Sequence, residues 1–425
     1  MGVYPLRHYR WPNGLRVLLV HNPISPVAAL LTHYTVGSAS EADNQRGLAH
    51  FFEHMMFRET ARLADGDFDR IVAECGGVGL NAYTTYDTTA YHVNVPVRHL
   101  DQIIGLEADR MANLKLSEDL IEKERGAVMG EIHMYKDMPS DIHWNTLMAK
   151  AFSRHPYRHP VIGYDEQVAR FSPEDFSRFY RDHYAPNRAV IVVAGGFDEN
   201  SVLDMINRAY SHIPTGAEQA PLPSPEPPPA GENRQTITHP KISSDMLYAA
   251  THSPGIRHED TPALLALSWF LSAGMSSPLH QRLVSCGLAT HAEASLLDVD
   301  WTMSSPSLFL MEAAMQQGVP AEKAEQVIQE LALEIVDKGI SQEDHQRTIN
   351  QMKLAHFSSL RNNMGLARYV GRHWVACQDP LFGDTLEAAA ERVTPDQMVD
   401  VLQRYWINSP KIIVTQRPGE KSEAA

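Results

Sequence analysis

The sequence predicts an α+β fold built from two homologous α/β sandwich halves that are joined by a proline-rich linker. Three observations lead to this prediction. Strand-like and helix-like segments occur in groups rather than in strict alternation. Proline is concentrated in one interior segment, and a helix-strand pattern occurs twice at a constant spacing. The 425 residues, 43% of them hydrophobic, are also enough for two or more domains.

The first half begins with strands and continues into helices. The residue pattern predicts four strands, over 15–21, 27–35, 80–85 and 90–95. It also predicts a buried helix around position 52 and further helices over 67–74, 98–114 and 117–132. Gly76 and Gly77 are expected to end the helix over 67–74, because glycine adopts the backbone conformation that closes a helix.

A proline-rich segment divides the chain. Residues 215–233 contain six prolines, at positions 221, 223, 225, 227, 228 and 229. This composition predicts an extended, semi-stiff linker rather than a packed element. The predicted organisation is therefore an N-terminal half over 1–214, the linker over 215–233 and a homologous C-terminal half over 234–425.

The two halves share a local pattern that indicates duplication. Ser172 and Thr394, 222 positions apart, each precede a proline and have a side-chain acceptor three residues later. This is the pattern of a capped helix start. The match continues without a gap into predicted strands over 189–194 and 411–415. A generic helix-strand unit can occur twice by chance, but an ungapped match of this length favours duplication.

The most informative motif is His50-Phe51-Phe52-Glu53-His54, which has the form H-x-x-E-H. Histidines four apart lie on one face of a helix, so His50 and His54 can reach one metal ion. Glu53 lies beside them, placed to accept a proton from water rather than to bind the metal. Because the chain has 21 histidines, the motif could also be an accident on a surface helix.

The apolar residues around the motif argue against an accident. They follow the i, i+3, i+4, i+7, i+8 stripe of a core-facing helix: Leu48, Phe51, Phe52, Met55 and Met56. Ionisable groups on a buried helix need partners, and a metal ion supplies them. The sequence therefore predicts a metal site on this helix.

A catalytic zinc site needs one more protein ligand. The cysteines occur singly, without a C-x-x-C pair: Cys75, Cys286 and Cys377. A carboxylate is the natural candidate. Glu124 and Glu131 lie seven apart, on one face of the helix predicted over 117–132. Such a pair can also be part of an ordinary solvated acidic face.

Several segments resemble a known family. Residues 37–38, 47–55 and 57–60 are similar to the active-site region of the inverzincins, which include pitrilysin, insulin-degrading enzyme and the mitochondrial processing peptidases. Further similar segments are 81–84, 87–91, 155–157 and 162–163. The resemblance covers nearly the whole chain, is looser in the second half, and extends to short two-domain bacterial processing-peptidase-like subunits. It implies two halves that face each other around a cavity.

The resemblance also implies the site and the activity. The family's third ligand is a glutamate 77 residues after the second histidine, which is Glu131 here, and Glu124 matches a second family glutamate. One Zn²⁺ per chain would be held by His50, His54 and Glu131, and Glu53 would be the catalytic base. Glu124 is expected either to assist the site or to be only a helix-face carboxylate.

The implied activity is that of a zinc-dependent metalloendopeptidase acting on peptides or unfolded polypeptide segments. The strand around Asn81 and Ala82 is expected to pair with the substrate backbone. A competing interpretation is a non-catalytic core or scaffold subunit of a larger complex. Such a subunit is expected to have lost parts of the metal motif, which is intact here.

The second half departs from the family in two places. Its counterpart of the metal helix, around 262–271, has no histidine or glutamate. Homodimeric members carry an arginine and a tyrosine in a stretch resembling G-M-S-S-R-L…G-L-A-Y, where this chain has Pro278 and Thr290. We therefore expect a heterodimer whose partner supplies the Arg/Tyr pair. The alternative is a homodimer or monomer that uses other residues, such as Arg282 or His291.

Composition narrows the range of partners. The 37 basic and 52 acidic residues give a net charge of −15, which argues against nucleic acid or anionic lipid as partner. No apolar stretch is long enough to span a membrane. The start of the chain shows no secretory signal. This predicts a cytoplasmic protein if Met1 is the native start, and leaves the periplasm open if a signal peptide has been removed.

Overall fold

The computed structural model describes residues 5–218, 226–297 and 307–419. Within them the chain forms two compact units, each drawn from separate segments of the sequence. The first unit takes the segments Met1–His133, His159–Pro223 and Ser359–Asp384. The second unit takes Met134–Arg158, Ser224–Ser358 and Thr385–Ala425.

The elements of the N-terminal half follow the predicted order. Its strands are β1 Leu6–Arg10, β2 Arg16–His21, β3 Val27–Tyr34, β4 Val78–Thr84, β5 Thr89–Pro96 and β6 Ala189–Gly195. Its helices are α1 Leu48–Met55, α2 Asp67–Glu74, α3 Leu100–Asn113, α4 Glu118–Lys136, α5 Pro139–Ala151, α6 Asp165–Val168, α7 Pro173–His183 and α8 Glu199–Tyr210. The predicted strands and helices are thus present, with ends that differ by a few residues.

The C-terminal half has a similar succession of elements. Its strands are β7 Asn233–His239, β8 Met246–Ser253, β9 Ala289–Leu296, β10 Ser307–Met315 and β11 Ile412–Pro418. Its helices are α9 Thr261–Ser272, α10 Ala321–Lys338, α11 Gln342–Ser359, α12 Asn363–Cys377, α13 Phe382–Ala390 and α14 Pro395–Leu402. No helix in the described part of the chain has the length and apolar character needed to cross a bilayer.

The two sheets have the same topology. The first has the order β1-β2-β6-β3-β5-β4 and the second β7-β11-β8-β10-β9. If β1 is set aside, the strands correspond one to one. In both sheets the first corresponding pair is parallel and the other three are antiparallel. The predicted duplicated α+β fold is confirmed.

Both copies of the predicted helix start are capped as expected. Ser172 and Asp175 form a reciprocal capping box at the start of α7, and Thr394 and Gln397 form the equivalent one at α14. Each box pairs two backbone N–H groups, of the N-cap residue and of the third helical residue, that a bare helix end would leave unpaired. The local sequence therefore determines where these two helices begin.

One face of the first sheet packs against α1. All five residues of the predicted apolar stripe are fully buried. Phe52 lies among the rings of Phe176, Tyr180 and Tyr184 from the α7 region. This packing fixes the position of α1, and therefore of the H-x-x-E-H motif, against the sheet.

The opposite face of the first sheet packs against α12, a helix from the C-terminal half of the sequence. Leu18, Leu31 and Val192 of the sheet are buried together with Val370 and Trp374 of α12. The second unit shows the reverse arrangement, because α5 from the N-terminal half packs on β7, β8 and β11. The two halves of the sequence have exchanged equivalent helices.

This exchange explains why neither unit is continuous in sequence. Each unit draws on residues from both sides of the predicted 215–233 linker. Within that linker, 219–225 lie outside the described residues. The boundaries 1–214 and 234–425 stay a prediction.

Candidate metal centre

The start of α1 is held by a buried carboxylate. The N-cap residue is Gly47, with φ of 98°, and it offers no side-chain acceptor. Glu41 takes that role: its carboxylate accepts the backbone N–H groups of Gly47 at 3.0 Å and Ala49 at 2.7 Å. Burial raises the pKa of Glu41 to about 8, although these N–H groups act in the opposite direction. Glu41 therefore fixes the turn that carries His50.

Gly47 is also required by close packing. A Cβ at this position would lie 2.6 Å from the carbonyl oxygen of Ile162 and 3.0 Å from the Cα of Gly163. A side chain would have to displace backbone there, and the positive φ further disfavours any other residue. The segments around 47 and 162–163, both part of the sequence resemblance, are thus in contact.

The structure brings the three predicted metal ligands together. The donor atoms of His50, His54 and Glu131 all lie within 4.8 Å of one another. Glu131 Oε2 lies 3.7 Å from His50 Nε2 and 3.3 Å from His54 Nε2. All three residues belong to the first unit, on α1 and α4.

These positions fit a zinc ion. Two imidazole nitrogens and one carboxylate oxygen are a donor set of catalytic zinc sites, with room for a fourth ligand. Tetrahedral bonds of about 2.0–2.1 Å place neighbouring donor atoms about 3.3–3.4 Å apart. The separations around Glu131 Oε2 are close to this value.

Glu124 fixes the orientation of His54. The Nδ1–H of His54 donates to Glu124 Oε1 at 2.8 Å, which directs Nε2 toward Glu131. Glu124 is 4% exposed and forms an ion pair with Arg58, with 2.7 Å between Arg58 Nε and Glu124 Oε2. Burial by itself raises the pKa of Glu124, but His54 and Arg58 outweigh it and hold this pKa below its usual value.

The two histidines differ in their protonation behaviour. Burial, reinforced by the neighbouring His54, lowers the pKa of His50 to about 4. Burial also lowers the pKa of His54, but the carboxylates of Glu124 and Glu131 outweigh it and raise this pKa to about 9. Metal binding requires the neutral form of both rings, so His54 must release a proton when a cation binds.

Glu53 contacts the edge strand of the first sheet. Its Oε2 accepts a hydrogen bond from Thr84 Oγ1 at 2.6 Å. Burial raises the pKa of Glu53 to about 6, while the Thr84 hydrogen bond opposes the shift. A carboxylate with a pKa near the working pH can both accept and release a proton.

The predicted substrate strand lies at the edge of the first sheet. Asn81 pairs with His92 and Ala82 with Tyr91 on β5, and β4 is the last strand of the sheet order. The backbone N–H of Ala82 donates to the side-chain oxygen of Asn81 at 2.9 Å. An edge strand of this kind can accept a further strand.

Three contributors to the site had no predicted role. Arg58 and Thr84 fall inside the segments that carry the sequence resemblance, but their contacts with Glu124 and Glu53 depend on the folded structure. Glu41 lies outside those segments. The only signal for Glu41 was an acidic residue shortly before a helix whose N-cap is glycine, and that pattern is common.

Comparison with known proteins matches two family descriptions to this chain. The model described as Insulinase (Peptidase family M16) matches residues 16–165. The model described as Peptidase M16 inactive domain matches residues 170–352. The first match contains the three predicted metal ligands, and the second contains α9, the counterpart of α1, which has no histidine or glutamate.

Individual proteins match over most of their length. Zinc protease PqqE of Helicobacter pylori is 28% identical over 363 residues, which cover 84% of this chain and 80% of the relative. A solved structure of a protease from Helicobacter pylori has a TM-score of 0.92 at 25% identity and covers 98% of this chain and 100% of that chain. A peptidase M16 inactive domain from Pseudomonas fluorescens has a TM-score of 0.85 at 15% identity, with 98% of both chains covered.

Proposed function

The chain belongs to peptidase family M16, and from this premise we propose that it is a zinc-dependent metalloendopeptidase acting on peptides or unfolded polypeptide segments. The observation that carries the proposal is the convergence of His50, His54 and Glu131 within reach of one ion. Glu53 stands in the same helical turn, with its pKa raised toward neutrality by burial. A catalytic zinc site has three protein ligands and an open fourth position, whereas a structural zinc site would use a fourth protein ligand there.

The protein side chains have separate tasks in this proposal. Zinc bound by the three ligands would polarise the scissile carbonyl and make a water molecule more acidic. Glu53 accepts the proton of the attacking water and passes it to the leaving amine. Thr84 holds the Glu53 carboxylate in place through its hydroxyl. Glu124 touches no reacting atom and is a positioning residue for His54.

The β4 edge is the proposed site for the substrate backbone. A peptide strand that pairs with β4 would replace the contact between Ala82 N–H and Asn81 and extend the sheet. Thr84 lies on the same strand and contacts Glu53, so such a peptide would run past the catalytic base. Backbone pairing makes cleavage tolerant of side chains.

We further propose that a related partner chain supplies an Arg/Tyr pair. Thr290 has no phenol and donates to the carbonyl oxygen of Ala314 at 3.2 Å. The nearby Arg282 is ion-paired with Glu334. His291 lies 3.4 Å from a carboxylate oxygen of Glu293, and thus also has a neighbour of its own. These engagements make Arg282 and His291 poor substitutes for the missing pair.

The scaffold interpretation is less well supported. The match to the family's inactive domain covers residues 170–352, which include most of the second half, where no metal ligands were expected. The first half keeps the complete donor set together with Glu53. A scaffold role requires neither this donor set nor Glu53.

The test is peptide hydrolysis by the purified chain with its zinc content measured, alone and together with a related chain that carries the Arg/Tyr pair. We expect about one zinc per chain, chelator-sensitive cleavage in the mixture, and no cleavage by the chain alone. The Glu53→Gln variant should keep its zinc and lose about 10²–10⁴-fold in rate.

Three results would count against the proposal at different points. Cleavage by the chain alone would remove the need for a partner. A Glu53→Gln variant as fast as wild type would exclude Glu53 as the base. Zinc-loaded protein that cleaves no peptide with or without a partner would favour the scaffold interpretation.

A further inference from the structure

Two arginines stand on the face of the first sheet that is opposite the metal helix. Arg368 and Arg372 lie one turn apart on α12, the helix that covers this face. The guanidinium of Arg368 donates from Nη2 to His92 Nε2 at 2.9 Å. The guanidinium of Arg372 lies 5.7 Å from the centre of the Tyr369 ring. Neither contact neutralises the positive charge.

The strand register places these arginines beside the edge strand β4. His92 on β5 is directly opposite Asn81 on β4, so the two side chains share a face of the sheet. Tyr83, two residues further along β4, is on that face too, with its ring 6.3 Å from the ring of His92. Ala82 and Thr84 face the other way, and Thr84 contacts Glu53.

Both arginines act electrostatically on this edge. Burial raises the pKa of Tyr83, and the charges of Arg368 and Arg372 oppose that shift. Burial, reinforced by the charge of Arg368, lowers the pKa of His92 to about 4. At neutral pH the histidine is therefore uncharged, and the positive charge of the cluster comes from the two guanidinium groups.

The missing element is an acidic partner. Within residues 5–218, 226–297 and 307–419, neither Arg368 nor Arg372 forms an ion pair with a carboxylate. The chain has a surplus of acidic residues, 52 against 37 basic ones, and other surface arginines, such as Arg234 and Arg404, are paired with carboxylates. The Nε of Arg372 is buried without a hydrogen-bond partner. Two like charges one helical turn apart also destabilise a helix unless something compensates them.

We propose that Arg368 and Arg372, with Tyr83 and Asn81, form a carboxylate-binding subsite for the peptide strand that pairs with β4. This inference rests on the proposed function, because it takes β4 as the place where substrate adds to the sheet. In an added strand, about 4.8 Å beyond β4, alternate side chains point to the α12 face. The ligand is an acidic group of the peptide, either an aspartate or glutamate side chain on that face or the C-terminal carboxylate.

The experiment measures binding separately from cleavage. The ligands are fluorescently labelled peptides of otherwise neutral sequence. Each peptide carries one glutamate, placed at a different position in each peptide of the series, and has a matched peptide with glutamine at that position. Every peptide is made with a free and with an amidated C-terminus. Their Kd values are measured by anisotropy with zinc-loaded Glu53→Gln protein, which retains the ligands but cannot turn the peptide over. At every second position, we expect the glutamate peptide to bind about 10–100-fold tighter than the glutamine peptide, because a charge-assisted hydrogen bond contributes that much.

Variants of the two arginines test whether these residues cause the preference for glutamate over glutamine. Arg368→Gln and Arg372→Gln should each reduce the glutamate-to-glutamine ratio, and Arg368→Glu should favour lysine in place of glutamate. Arg98→Gln is the matched control, because Arg98 is also exposed and donates to a histidine, His99, but does not belong to α12. The control should keep the wild-type ratio, and thermal melting confirms that each variant is folded.

The outcomes distinguish a side-chain carboxylate from the C-terminal carboxylate as the ligand. They also distinguish failure of the subsite from failure of the proposed peptidase function. A preference with a period of two residues identifies a side chain, and a preference only for the free C-terminus identifies the terminal carboxylate. Equal binding of all peptides, or a preference that survives both arginine variants, would overturn the subsite. Peptides that bind with this preference but are hydrolysed neither by wild-type protein alone nor by its mixture with a related chain that carries the Arg/Tyr pair would overturn the peptidase proposal and leave the subsite standing.

Discussion

The imidazole of His54 is held from both sides. One nitrogen donates to Glu124 and the other lies next to Glu131, so the ring has one orientation. Arg58 in turn holds the second oxygen of Glu124. A ligand fixed in this way loses little freedom when a metal ion binds, and this is how residues behind the ligands raise metal affinity.

We predict that Glu124→Ala weakens zinc binding by about 10–100-fold without abolishing it. The alanine removes the acceptor of the His54 Nδ1–H, and it also leaves Arg58 without this partner. Glu124→Gln keeps an oxygen acceptor and should lose less. The zinc Kd is measured by competition with a chromogenic chelator.

The control for this prediction is Glu122→Ala. Glu122 lies on the same helix but is exposed and pairs with Arg125. It should bind zinc as wild type does. Wild-type affinity in Glu124→Ala would show that Glu124 is only a helix-face carboxylate.

At the scale of single elements, the exchanged helix α5 is held by His143. The ring is fully buried, stacks on Tyr248 with centres 3.8 Å apart, and donates from Nε2 to the carbonyl oxygen of Val414 at 2.8 Å. Its Nδ1 is buried without a hydrogen-bond partner. Protonation of Nδ1 would therefore place an unpaired charge in the core.

We predict that acid destabilises the protein partly through His143. Burial lowers the pKa of His143 to about 4, from about 6.5 in an unfolded chain. The unfolded state therefore binds the proton first as the pH falls. The contribution is present above pH 6.5 and is lost progressively down to about pH 4, on the order of 2–3 kcal/mol in total.

The measurement is the free energy of unfolding in denaturant between pH 4 and 7 for wild type and His143→Gln. Glutamine can still donate to Val414 but cannot titrate, so the variant should lose stability less steeply. The exposed His212 provides the control variant His212→Gln, which should keep the wild-type slope. Equal slopes for His143→Gln and wild type would contradict the prediction.

Local signals made some elements predictable and left others undetermined. The stripe on α1 and the caps of α7 and α14 are determined by neighbouring residues, and the sequence pattern identified them. The packing of α5 and α12 could not be predicted in the same way, because periodicity reveals a buried face but not the sheet that covers it. His50 and His54 were predicted from motif spacing and Glu131 from the family resemblance, whereas the contacts of Arg58, Thr84 and Glu41 arise only after folding.

At the scale of the whole molecule, the exchange of helices makes each unit depend on both halves of the sequence. The N-terminal half alone would keep its first sheet but lose α12, which covers Leu18, Leu31 and Val192. It would also carry α5 without the strands on which α5 packs. Each half would therefore expose apolar surface that is buried in the intact chain.

We predict that fragments 1–218 and 226–425 aggregate or stay partly unfolded when expressed separately, and that coexpression restores a soluble, zinc-binding protein. Size-exclusion chromatography, thermal melting and zinc content check the result. A soluble, monomeric 1–218 fragment that melts at the temperature of the full chain would contradict it. The control for the effect of the chain break itself is the intact chain with a protease site inserted between 218 and 226.

The reciprocal exchange also constrains how the chain could have arisen. If the two halves descend from one shorter gene whose product packed as each half does now, that product left one face of its own sheet uncovered, since the helix that covers each sheet now comes from the other copy. The shorter protein would have been a domain-swapped pair, each molecule lending a helix to its neighbour. Fusion of the two genes would then have joined the two obligatory subunits in one chain. After fusion, one copy could lose its metal ligands while the other kept them.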